Sequence, residues 1–494
     1  MPCLLAIDQG SSATKAVIFH ADGSVAASAA QEVSCRYPRP GFVEQDPEAI
    51  YLSVLESIRR CVAAFTGAGG RATDIASCGI SNQRETFLLW DGTGAPLCDA
   101  VSWQCERSAS ICAAMRDGAR AAEVSRRTGL PIVPYFSGTK LLWLLRNEAA
   151  VRHAVHGGRA RFGTIDTWLL WRLTNGAAYA TDYTNASRTL LFDIDHLSWD
   201  DRLRDAWEAA DLVLPTCFHS VHPFGETDFE GILPRKVRVD AMIGDSHAAS
   251  FGERCIAPGM VKVTLGTGSS LLMDTGDERL GARDGIVSTI NWSTSGRVHY
   301  ALEGIIVSSG ATVAWMRDQL GILETSADAE RVATSVPDNG GVYVIPGFSG
   351  LGSPRWRSGV RASIVGLSFA STRAHVVRAA LESVPFQIAE VLAAMARHGG
   401  ARPVELRVDG GLTTNRFVLQ LLADVAGIPV TSYGVSDVSA LGAAMLAGLG
   451  AGLYASPDSL PPPAGSPPRY APGPGAAAAR RELSAWLDHV DRCV

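Results

Sequence analysis

Residues 4–19 have the sequence LLAIDQGSSATKAVIF. Residues 4–7 and 16–19 are short apolar runs, and the residues between them are small or polar types that favour a tight turn. The stretch therefore predicts two strands joined by a turn rich in glycine and hydroxyl groups. Asp22-Gly23 marks a second hairpin turn directly after it.

The second half of the chain repeats this pattern. Residues 260–265 and 270–273 predict two strands, and Gly266-Thr267-Gly268 predicts the turn between them. Further on, a strand at 406–408 is followed by the turn Asp409-Gly410-Gly411 and by a helix at 415–426. Each half thus begins with a hairpin of the same type.

Helices alternate with these strands. Asp46 is a favourable N-cap with Pro47 at the first helical position, and apolar residues recur at helical spacing from Ile50 to Phe65. Further strands are expected at 75–80, 86–90 and 342–345, and further helices at 138–148, 166–173, 311–320, 374–398 and 440–455. The alternation predicts an α/β fold, with a domain boundary near residues 254–259 and a proline-rich surface arm at 456–475 before a short final helix.

Composition excludes several classes of protein. The chain has 494 residues, 47% of them hydrophobic, with 44 Lys and Arg against 50 Asp and Glu and a net charge of −6. A disordered chain has less apolar content, and a nucleic-acid-binding protein has a basic excess. No apolar run reaches the length of a membrane span, and no basic segment precedes the first apolar run. The ten cysteines are scattered, so we expect a reducing cytoplasm.

Three glycine turns are candidates for phosphate binding. The chain lacks both G-x-x-x-x-G-K-[ST] and a strand-linked G-x-G-x-x-G. The turns at 8–12, 266–268 and 410–411 offer backbone N–H groups that can hold phosphate. In the first, Asp8 can hold Mg²⁺ and Lys15 can neutralise phosphate charge. The alternative is that all three are ordinary turns.

Other polar residues point to binding of a polyol. Arg84 and Glu85 combine a forked donor with an acceptor, although a solvated salt-bridging loop is the alternative. Asp245 can accept a proton from a hydroxyl group, or can instead be a helix N-cap. Trp103 and Tyr135 offer flat surfaces to the C–H face of a polyol, or can instead pack in the core.

Taken together, these segments resemble the FGGY family of carbohydrate kinases, and within it the glycerol kinase branch. The resemblance covers about residues 3–450. It is carried by residues 6–12, 81–86, 103–105, 134–140, 181–189, 244–245, 266–268, 301–304, 350–352 and 407–411. The run Asn-Gln-Arg-Glu-Thr at 82–86 and the segment around Tyr135 favour the glycerol kinase branch over the xylulose kinase branch.

The resemblance implies two actin-like, ribonuclease-H-like ATPase domains flanking a cleft. Residues 1–253 would form the substrate and phosphate side, 254–452 the nucleotide side, and 453–494 a Pro- and Ala-rich tail with a short helix. It implies transfer of the γ-phosphoryl group of ATP to a primary hydroxyl of glycerol, giving glycerol 3-phosphate, with Mg²⁺ as cofactor. Related kinases are often dimers or tetramers, so we expect a homo-oligomer that binds no nucleic acid and has no membrane span.

The resemblance also implies roles for individual residues. Asp245 would be the general base, and Asp8 would lie beside Mg²⁺. The polyol site would comprise Arg84, Glu85, Trp103, Tyr135, Asp245 and Ser246. The phosphate and nucleotide sites would comprise Gly10, Ser11, Ser12, Lys15, Gly266, Thr267, Gly310, Gly410, Gly411 and Asn415.

The sequence departs from the glycerol kinase pattern at several of these positions. The family usually has Gln where this chain has Ser246 and His247, an aromatic residue at Ser270, a Gln at Ala314 and an Arg at Lys15. The smaller residues predict a larger or more polar pocket, so a kinase for erythritol, a tetrulose, xylulose or ribulose is the first alternative. A non-catalytic, actin-like ATP-binding protein is a more distant one.

Overall fold

The computed structural model describes residues 2–357, 359–433, 437–462 and 467–493. Part of the proline-rich arm, residues 463–466, lies outside this range. The chain forms two compact units: the first comprises residues 1–254, 288–300 and 437–464, and the second comprises residues 255–287, 301–436 and 465–494. The chain first passes from the first unit to the second after Arg254, and it then returns to the first unit twice, at residues 288–300 and 437–464. This division therefore differs from the three consecutive segments expected from the sequence.

The strands are β1 (Cys3–Gln9), β2 (Ala13–His20), β3 (Val25–Glu32), β4 (Glu44–Gln45), β5 (Ile75–Asn82), β6 (Phe87–Trp90), β7 (Ala100–Val101), β8 (Arg161–Thr164), β9 (Ala180–Asp182), β10 (Phe192–Asp193), β11 (Ser198–Trp199), β12 (Thr216–Phe218), β13 (Val221–Thr227), β14 (Val237–Gly244), β15 (Met260–Leu265), β16 (Ser269–Gly276), β17 (Val287–Thr294), β18 (Arg297–Ile306), β19 (Tyr343–Ile345), β20 (Ser363–Val365), β21 (Glu405–Asp409), β22 (Val430–Ser432) and β23 (Arg469–Tyr470).

The helices are α1 (Pro47–Gly67), α2 (Ala109–Met115), α3 (Ala119–Thr128), α4 (Ser137–Asn147), α5 (Ala149–His156), α6 (Ile165–Leu173), α7 (Tyr183–Ala186), α8 (Asp201–Ala206), α9 (Asp245–Gly252), α10 (Gly310–Asp318), α11 (Asp328–Ala333), α12 (Arg373–Ala396), α13 (Arg416–Ala426), α14 (Val438–Gly450) and α15 (Ala476–Cys493). The α/β fold class is confirmed.

The first unit is built around a six-stranded sheet with the order β13-β14-β5-β1-β2-β3. The hairpin β1–β2 confirms the prediction from residues 4–19, with Asp8 opposite Lys15 in the register. Helix α1 begins as predicted: the Asp46 carboxylate accepts hydrogen bonds from the backbone N–H groups of Glu48 and Ala49 at 2.9 and 3.3 Å. Its apolar stripe is buried against the sheet.

Helix α14 belongs to the first unit although it lies near the end of the chain. It approaches the sheet so closely that a Cβ atom at Gly79 on β5 would overlap the carbonyl group of Ala443. Likewise, a Cβ atom at Gly442 would overlap the carbonyl group of Ala248 on α9. Glycine at both positions therefore permits backbone-to-backbone packing. The predicted buried helix at 440–455 is confirmed, with bounds of 438–450.

The second unit contains a seven-stranded sheet with the order β17-β18-β16-β15-β21-β22-β23, although most of β17 and the start of β18 are assigned to the first unit. Strands β15 and β16 form the second predicted hairpin. Helix α12 continues through Pro385. It is long and apolar enough to cross a membrane, but 83% of its apolar window is buried inside the protein. It is therefore a core helix of this unit.

The final helix is longer than the sequence suggested. Helix α15 spans 18 residues, and Trp486 and Val490 on it are buried. The Trp486 indole N–H donates a hydrogen bond of 2.9 Å to the carbonyl oxygen of Val344. The preceding arm contributes β23, which pairs with β22. The expectation of a short helix after a surface arm was wrong, because an apolar face anchors this helix in the core.

Candidate active site

Three neighbouring parallel strands of the first unit end at the same edge of the sheet. Strand β5 pairs in parallel with β1 and with β14, so Gln9, Asn82 and Gly244 lie side by side in register. In α/β sheets, the residues at the carboxyl ends of the strands line the binding crevice. Four predicted site residues belong to these strand ends: Asp8, Arg84, Glu85 and Asp245.

Arg84 and Asp245 form an ion pair at this edge. The Arg84 Nε atom lies 3.3 Å from Asp245 Oδ1, and the side chains are 6% and 37% exposed. Gly244 is the N-cap of α9, and Asp245 is its first residue, so the alternative of Asp245 as an N-cap was wrong. Its carboxylate accepts a hydrogen bond of 2.6 Å from the Ser246 N–H group. The partly open carboxylate is therefore oriented from two sides.

Glu85 is held by a buried ion pair. It has a backbone φ of 61° and is 1% exposed. Its Oε1 atom accepts a hydrogen bond of 2.6 Å from Nε of Arg188, which is itself fully buried. The Arg188 guanidinium also lies 5.0 Å from the centre of the Phe136 ring. The alternative of a solvated salt-bridging loop at Arg84 and Glu85 was therefore wrong.

Trp103 and Tyr135 lie together beside the first glycine turn. Their ring centroids are 5.4 Å apart, and the Tyr135 ring also meets Phe136 edge to face at 5.3 Å. The Trp103 indole N–H donates a hydrogen bond of 2.8 Å to the Ser11 hydroxyl group. This bond fixes one aromatic ring against the turn that is predicted to hold phosphate.

The turn at 10–12 is held by amide side chains. The Ser11 hydroxyl donates a hydrogen bond of 3.2 Å to Gln83 Oε1, and the Ser11 backbone carbonyl accepts one of 2.8 Å from Gln45 Nε2. The Ser12 carbonyl accepts from the Val33 N–H group. Lys15, which follows the turn on β2, forms a salt bridge of 2.8 Å with Asp437 and is 38% exposed.

Asp8 is a partly buried carboxylate at this edge. One of its oxygens accepts a hydrogen bond of 2.9 Å from the Ser81 hydroxyl group. Burial raises the pKa of Asp8 to about 6, and the neighbouring charge of Asp245 raises it further in the same direction. A bound divalent cation would relieve this repulsion between two carboxylates, so the arrangement fits Mg²⁺, which prefers carboxylate and water ligands.

Sequence reasoning missed the support beneath these strand ends. Asn82 and Asn185 exchange side-chain amide hydrogen bonds of 2.9 and 3.1 Å. The Gly244 N–H group donates to the Thr184 hydroxyl at 2.9 Å. The segment 181–189 thus fixes the ends of β5 and β14 and supplies Arg188. The only available signal was that this segment belongs to the family resemblance.

The second unit brings together the other glycine turns. Strands β15 and β21 are parallel, with Thr264 opposite Asp409, so the turns at 266–268 and 410–411 lie at one sheet edge. The Gly310 N–H group, at the start of α10, donates to the Gly266 carbonyl at 2.9 Å. Gly410 has a φ of +94°, and a Cβ atom there would lie 2.6 Å from the Leu265 carbonyl oxygen. A Cβ atom at Gly411 would instead meet open space.

The remaining predicted nucleotide residues surround this edge. The Thr267 carbonyl accepts hydrogen bonds from the N–H groups of Ser309 and Ala311 at 2.9 and 3.0 Å. Asn415 is the N-cap of α13, and its side chain accepts a hydrogen bond of 3.0 Å from Val418 N–H. Ser270 lies on β16 and Ala314 on α10.

The predicted residues thus form two groups. The first unit holds Asp8, Gly10, Ser11, Ser12, Lys15, Arg84, Glu85, Trp103, Tyr135, Asp245 and Ser246, and the second holds Gly266, Thr267, Gly310, Gly410, Gly411 and Asn415. The first group combines carboxylates, an arginine and aromatic rings, which suit a hydroxylic ligand, with the turn at 10–12 and Lys15, which suit phosphate. The second group combines the glycine turns at 266–268 and 410–411, which also suit phosphate, with Gly310 and Asn415.

Family models match almost the whole chain. Residues 3–252 match the N-terminal domain of the FGGY family of carbohydrate kinases, and residues 261–451 match its C-terminal domain. The boundary between the two matches lies near the first division of the chain in the structure.

Individual relatives agree with this match. The chain is 42% identical over 490 residues to a glycerol kinase of Symbiobacterium thermophilum, covering 99% of this chain and 98% of the relative. It is 45% identical over 465 residues to a glycerol kinase of Leptothrix cholodnii, covering 93% of each. The crystal structure of Plasmodium falciparum glycerol kinase with ADP superimposes with a TM-score of 0.92 at 30% identity, covering 100% of this chain and 98% of that one.

Proposed function

The chain belongs to the FGGY family of carbohydrate kinases, and from this premise we propose that it transfers the γ-phosphoryl group of ATP to a primary hydroxyl of glycerol. The product would be glycerol 3-phosphate. The observation that carries the proposal is the ion pair of Arg84 and Asp245 beside the buried Glu85, at the carboxyl ends of three parallel strands. The glycerol kinases named above, at 42% and 45% identity, support the choice of substrate.

The side chains of the first unit fit the needs of an acceptor site. Arg84 presents N–H donors to hydroxyl oxygens, and Glu85 accepts hydrogen bonds from hydroxyl groups. Asp245 is the group that takes the proton when the acceptor oxygen attacks, because its carboxylate is partly open and lies 3.3 Å from Arg84 Nε. Trp103 and Tyr135 would pack against the carbon atoms of the acceptor. Holding the acceptor in one orientation is a major part of catalysis in phosphoryl transfer.

The glycine turns would hold the nucleotide. In the first unit, the turn at 10–12 and Lys15 would contact phosphate oxygens. In the second unit, the turns at 266–268 and 410–411 would contact the nucleotide. Gly310 and Asn415 would lie beside the rest of the nucleotide. Asp8 would hold Mg²⁺, which would neutralise charge on the phosphate groups. The raised pKa of Asp8, caused first by burial and then by Asp245, supports this assignment.

Ser246 favours a second candidate substrate. Its backbone N–H group bonds the Asp245 carboxylate, so its small side chain stands directly beside the proposed base. The glycerol kinase branch usually has Gln at this position and a second Gln where the fully buried His247 stands. A longer acceptor, such as erythritol, a tetrulose, xylulose or ribulose, is therefore the alternative. A non-catalytic ATP-binding protein has no need of the Arg84, Glu85 and Asp245 cluster.

The test is ATP-dependent turnover with Mg²⁺ over glycerol, dihydroxyacetone, erythritol, threitol, xylulose and ribulose. We expect the highest kcat/KM for glycerol. A much higher value for a longer acceptor would replace glycerol by that acceptor, and no turnover with any of them would refute the kinase proposal for these substrates.

The role of Asp245 has its own test. Asp245→Asn should lower kcat by about 10²- to 10⁴-fold, the usual contribution of a general base. Asp240→Asn is the matched control, because Asp240 lies on the same β14 strand and bonds Ser77 rather than any proposed site residue. Unchanged kcat in Asp245→Asn would show that another group takes the proton.

We also infer a cytoplasmic location and a homo-oligomer, either a dimer or a tetramer. All ten cysteines are free thiols in the structure, which suits a reducing compartment. Light scattering coupled to gel filtration measures the oligomeric state directly.

A further inference from the structure

A buried lysine joins the two aromatic segments of the proposed acceptor site. Lys140 lies on the first turns of α4 and is 0% exposed. Its Nζ atom donates a hydrogen bond of 2.8 Å to the carbonyl oxygen of Tyr135 and one of 3.4 Å to that of Trp103. These two segments are 32 positions apart in the sequence, yet a single ammonium group contacts both.

The same turn of α4 also holds the Glu85 loop. The Ser137 hydroxyl donates a hydrogen bond of 2.7 Å to the Glu85 carbonyl oxygen. Thr139 bonds the Ser108 hydroxyl at 2.9 Å, which ties the turn to the start of α2. The segments that carry Glu85, Trp103 and Tyr135 are therefore all anchored on residues 137–140.

The surroundings of Lys140 are unusual for a cation. Burial lowers its pKa to about 7, whereas the charge of Glu85 acts to raise it. The other titratable groups that face it are Cys105, Cys112 and Arg107. Arg107 is itself engaged with Glu44 at 2.5 Å and with Cys105 Sγ at 3.0 Å. Burying an ammonium group at this position lowers the stability of the fold compared with an apolar side chain of similar size.

We propose that Lys140 is a positioning residue, which sets the geometry of the acceptor site by holding the carbonyl groups of Trp103 and Tyr135. It touches neither substrate nor nucleotide in this role. Its two hydrogen bonds fix the backbone from which both rings project, and the rings stand 5.4 Å apart. The proposal rests on the function proposed above, because it assumes that these rings contact the acceptor.

The variant Lys140→Met tests it, because methionine keeps the unbranched apolar stem and loses the donors. We expect the KM for glycerol to rise about 10- to 30-fold, the effect of two lost hydrogen bonds, with a smaller effect on kcat. The KM for ATP should stay within about twofold, because neither carbonyl group that Lys140 bonds belongs to a residue proposed to contact the nucleotide. Val54→Ala is the control: Val54 is a fully buried core residue of α1, and its truncation lowers stability without touching the site.

The pH profile separates positioning from a purely structural role. As the pH rises through about 7, Lys140 loses its proton and its bonds to the carbonyl groups weaken. The ratio of the variant KM to the wild-type KM for glycerol should therefore be largest near pH 6 and fall by pH 8.5. Titration of Asp8 affects both proteins, so its effect largely cancels in this ratio.

Each outcome has a definite meaning. An unchanged KM for glycerol in Lys140→Met, or an equal rise in Val54→Ala, overturns the inference. If Lys140→Met does not fold, Lys140→Gln retains an amide donor and should give an intermediate KM. If neither variant folds, Lys140→Arg keeps a cationic donor, and a KM for glycerol and a KM for ATP that rise equally in it overturn the inference. Absence of wild-type turnover refutes the proposed function instead, so the two failures are distinguishable.

Discussion

Replacing Arg188 by methionine should destabilise the protein strongly and weaken binding of the acceptor. The change removes the cation that lies 2.6 Å from the Glu85 carboxylate, in a position where both side chains are at most 1% exposed. Removing one partner of a buried ion pair costs about 3–5 kcal/mol, because the remaining charge is left without its compensation. Lys140 faces the same carboxylate, so we expect the lower part of that range.

This loss is measurable by calorimetry. The first unit, which contains Arg188, has more than 250 residues, so a loss of about 3 kcal/mol corresponds to a fall in Tm of roughly 4–6 °C. The transition to follow is the one that is sensitive to Arg188, since two compact units need not unfold together. A fall of less than 2 °C would show that Arg188 does not compensate the Glu85 charge.

The double variant Arg188→Met with Glu85→Gln provides the decisive control. A neutral pair avoids the burial of an uncompensated charge, so most of the lost stability should return. The affinity for glycerol should not return, because a charged acceptor of hydrogen bonds has been lost, which raises KM roughly 10- to 150-fold. A double variant no more stable than Arg188→Met would refute the electrostatic reasoning, and a normal KM would refute the role of Glu85.

Three further changes test other parts of the site. Gly410→Ala should lower the free energy of unfolding by about 1–3 kcal/mol and raise the KM for ATP, because the φ of +94° and the nearby Leu265 carbonyl both oppose a side chain. Gly411→Ala is the control: a Cβ atom there meets open space, so the Tm should stay unchanged. Asp8→Asn should raise the Mg²⁺ concentration needed for half-maximal activity about 10- to 100-fold, measured by titration at saturating ATP. Burial raises the pKa of Asp166 from 3.8 to about 7. Between these pH values the native state binds more protons than the unfolded state, so the free energy of unfolding falls as the pH rises. Asp166→Asn should make the free energy of unfolding, measured from denaturation curves, less dependent on pH in this range.

The contrary results are equally specific. Equal Tm losses in the two glycine variants would show that the φ of Gly410 imposes no strain. An unchanged Mg²⁺ requirement in Asp8→Asn would place the metal elsewhere. A slope unaltered by Asp166→Asn would assign the pH dependence to other groups, of which Asp8 is the first to examine because its pKa is also raised.

Local sequence patterns predicted the framework of the fold well. The hairpin at residues 4–19, the capped start of α1 and the glycine turn after β21 each depend on neighbours along the chain, which a pattern contains. The 18-residue length of α15 depends on where Trp486 packs, which no local pattern contains. The same limit applies to α14, whose assignment to the first unit depends on contacts with distant segments.

In the candidate site, too, local patterns predicted some features, whereas others depend on contacts between distant residues. Arg84, Glu85 and Asp245 were recognised because charged residues directly follow apolar strands. The choice between a solvated loop and a buried cluster was beyond the sequence, because it depends on Arg188, about 100 positions away. Lys140 escaped attention for a related reason: a lysine in an amphipathic helix normally faces water, and only the fold shows that this one is enclosed.

The placement of α14 has a consequence for how the protein is made. The sheet of the first unit emerges from the ribosome by residue 254, but the helix that covers it begins at Val438. At ordinary rates of synthesis, the intervening chain takes roughly 10–40 s to appear. During that interval the small residues of β5 around Gly79, shaped for close packing, have no covering helix. A nascent chain shortened before residue 438 should therefore recruit chaperones, whereas the chain of 494 residues should not.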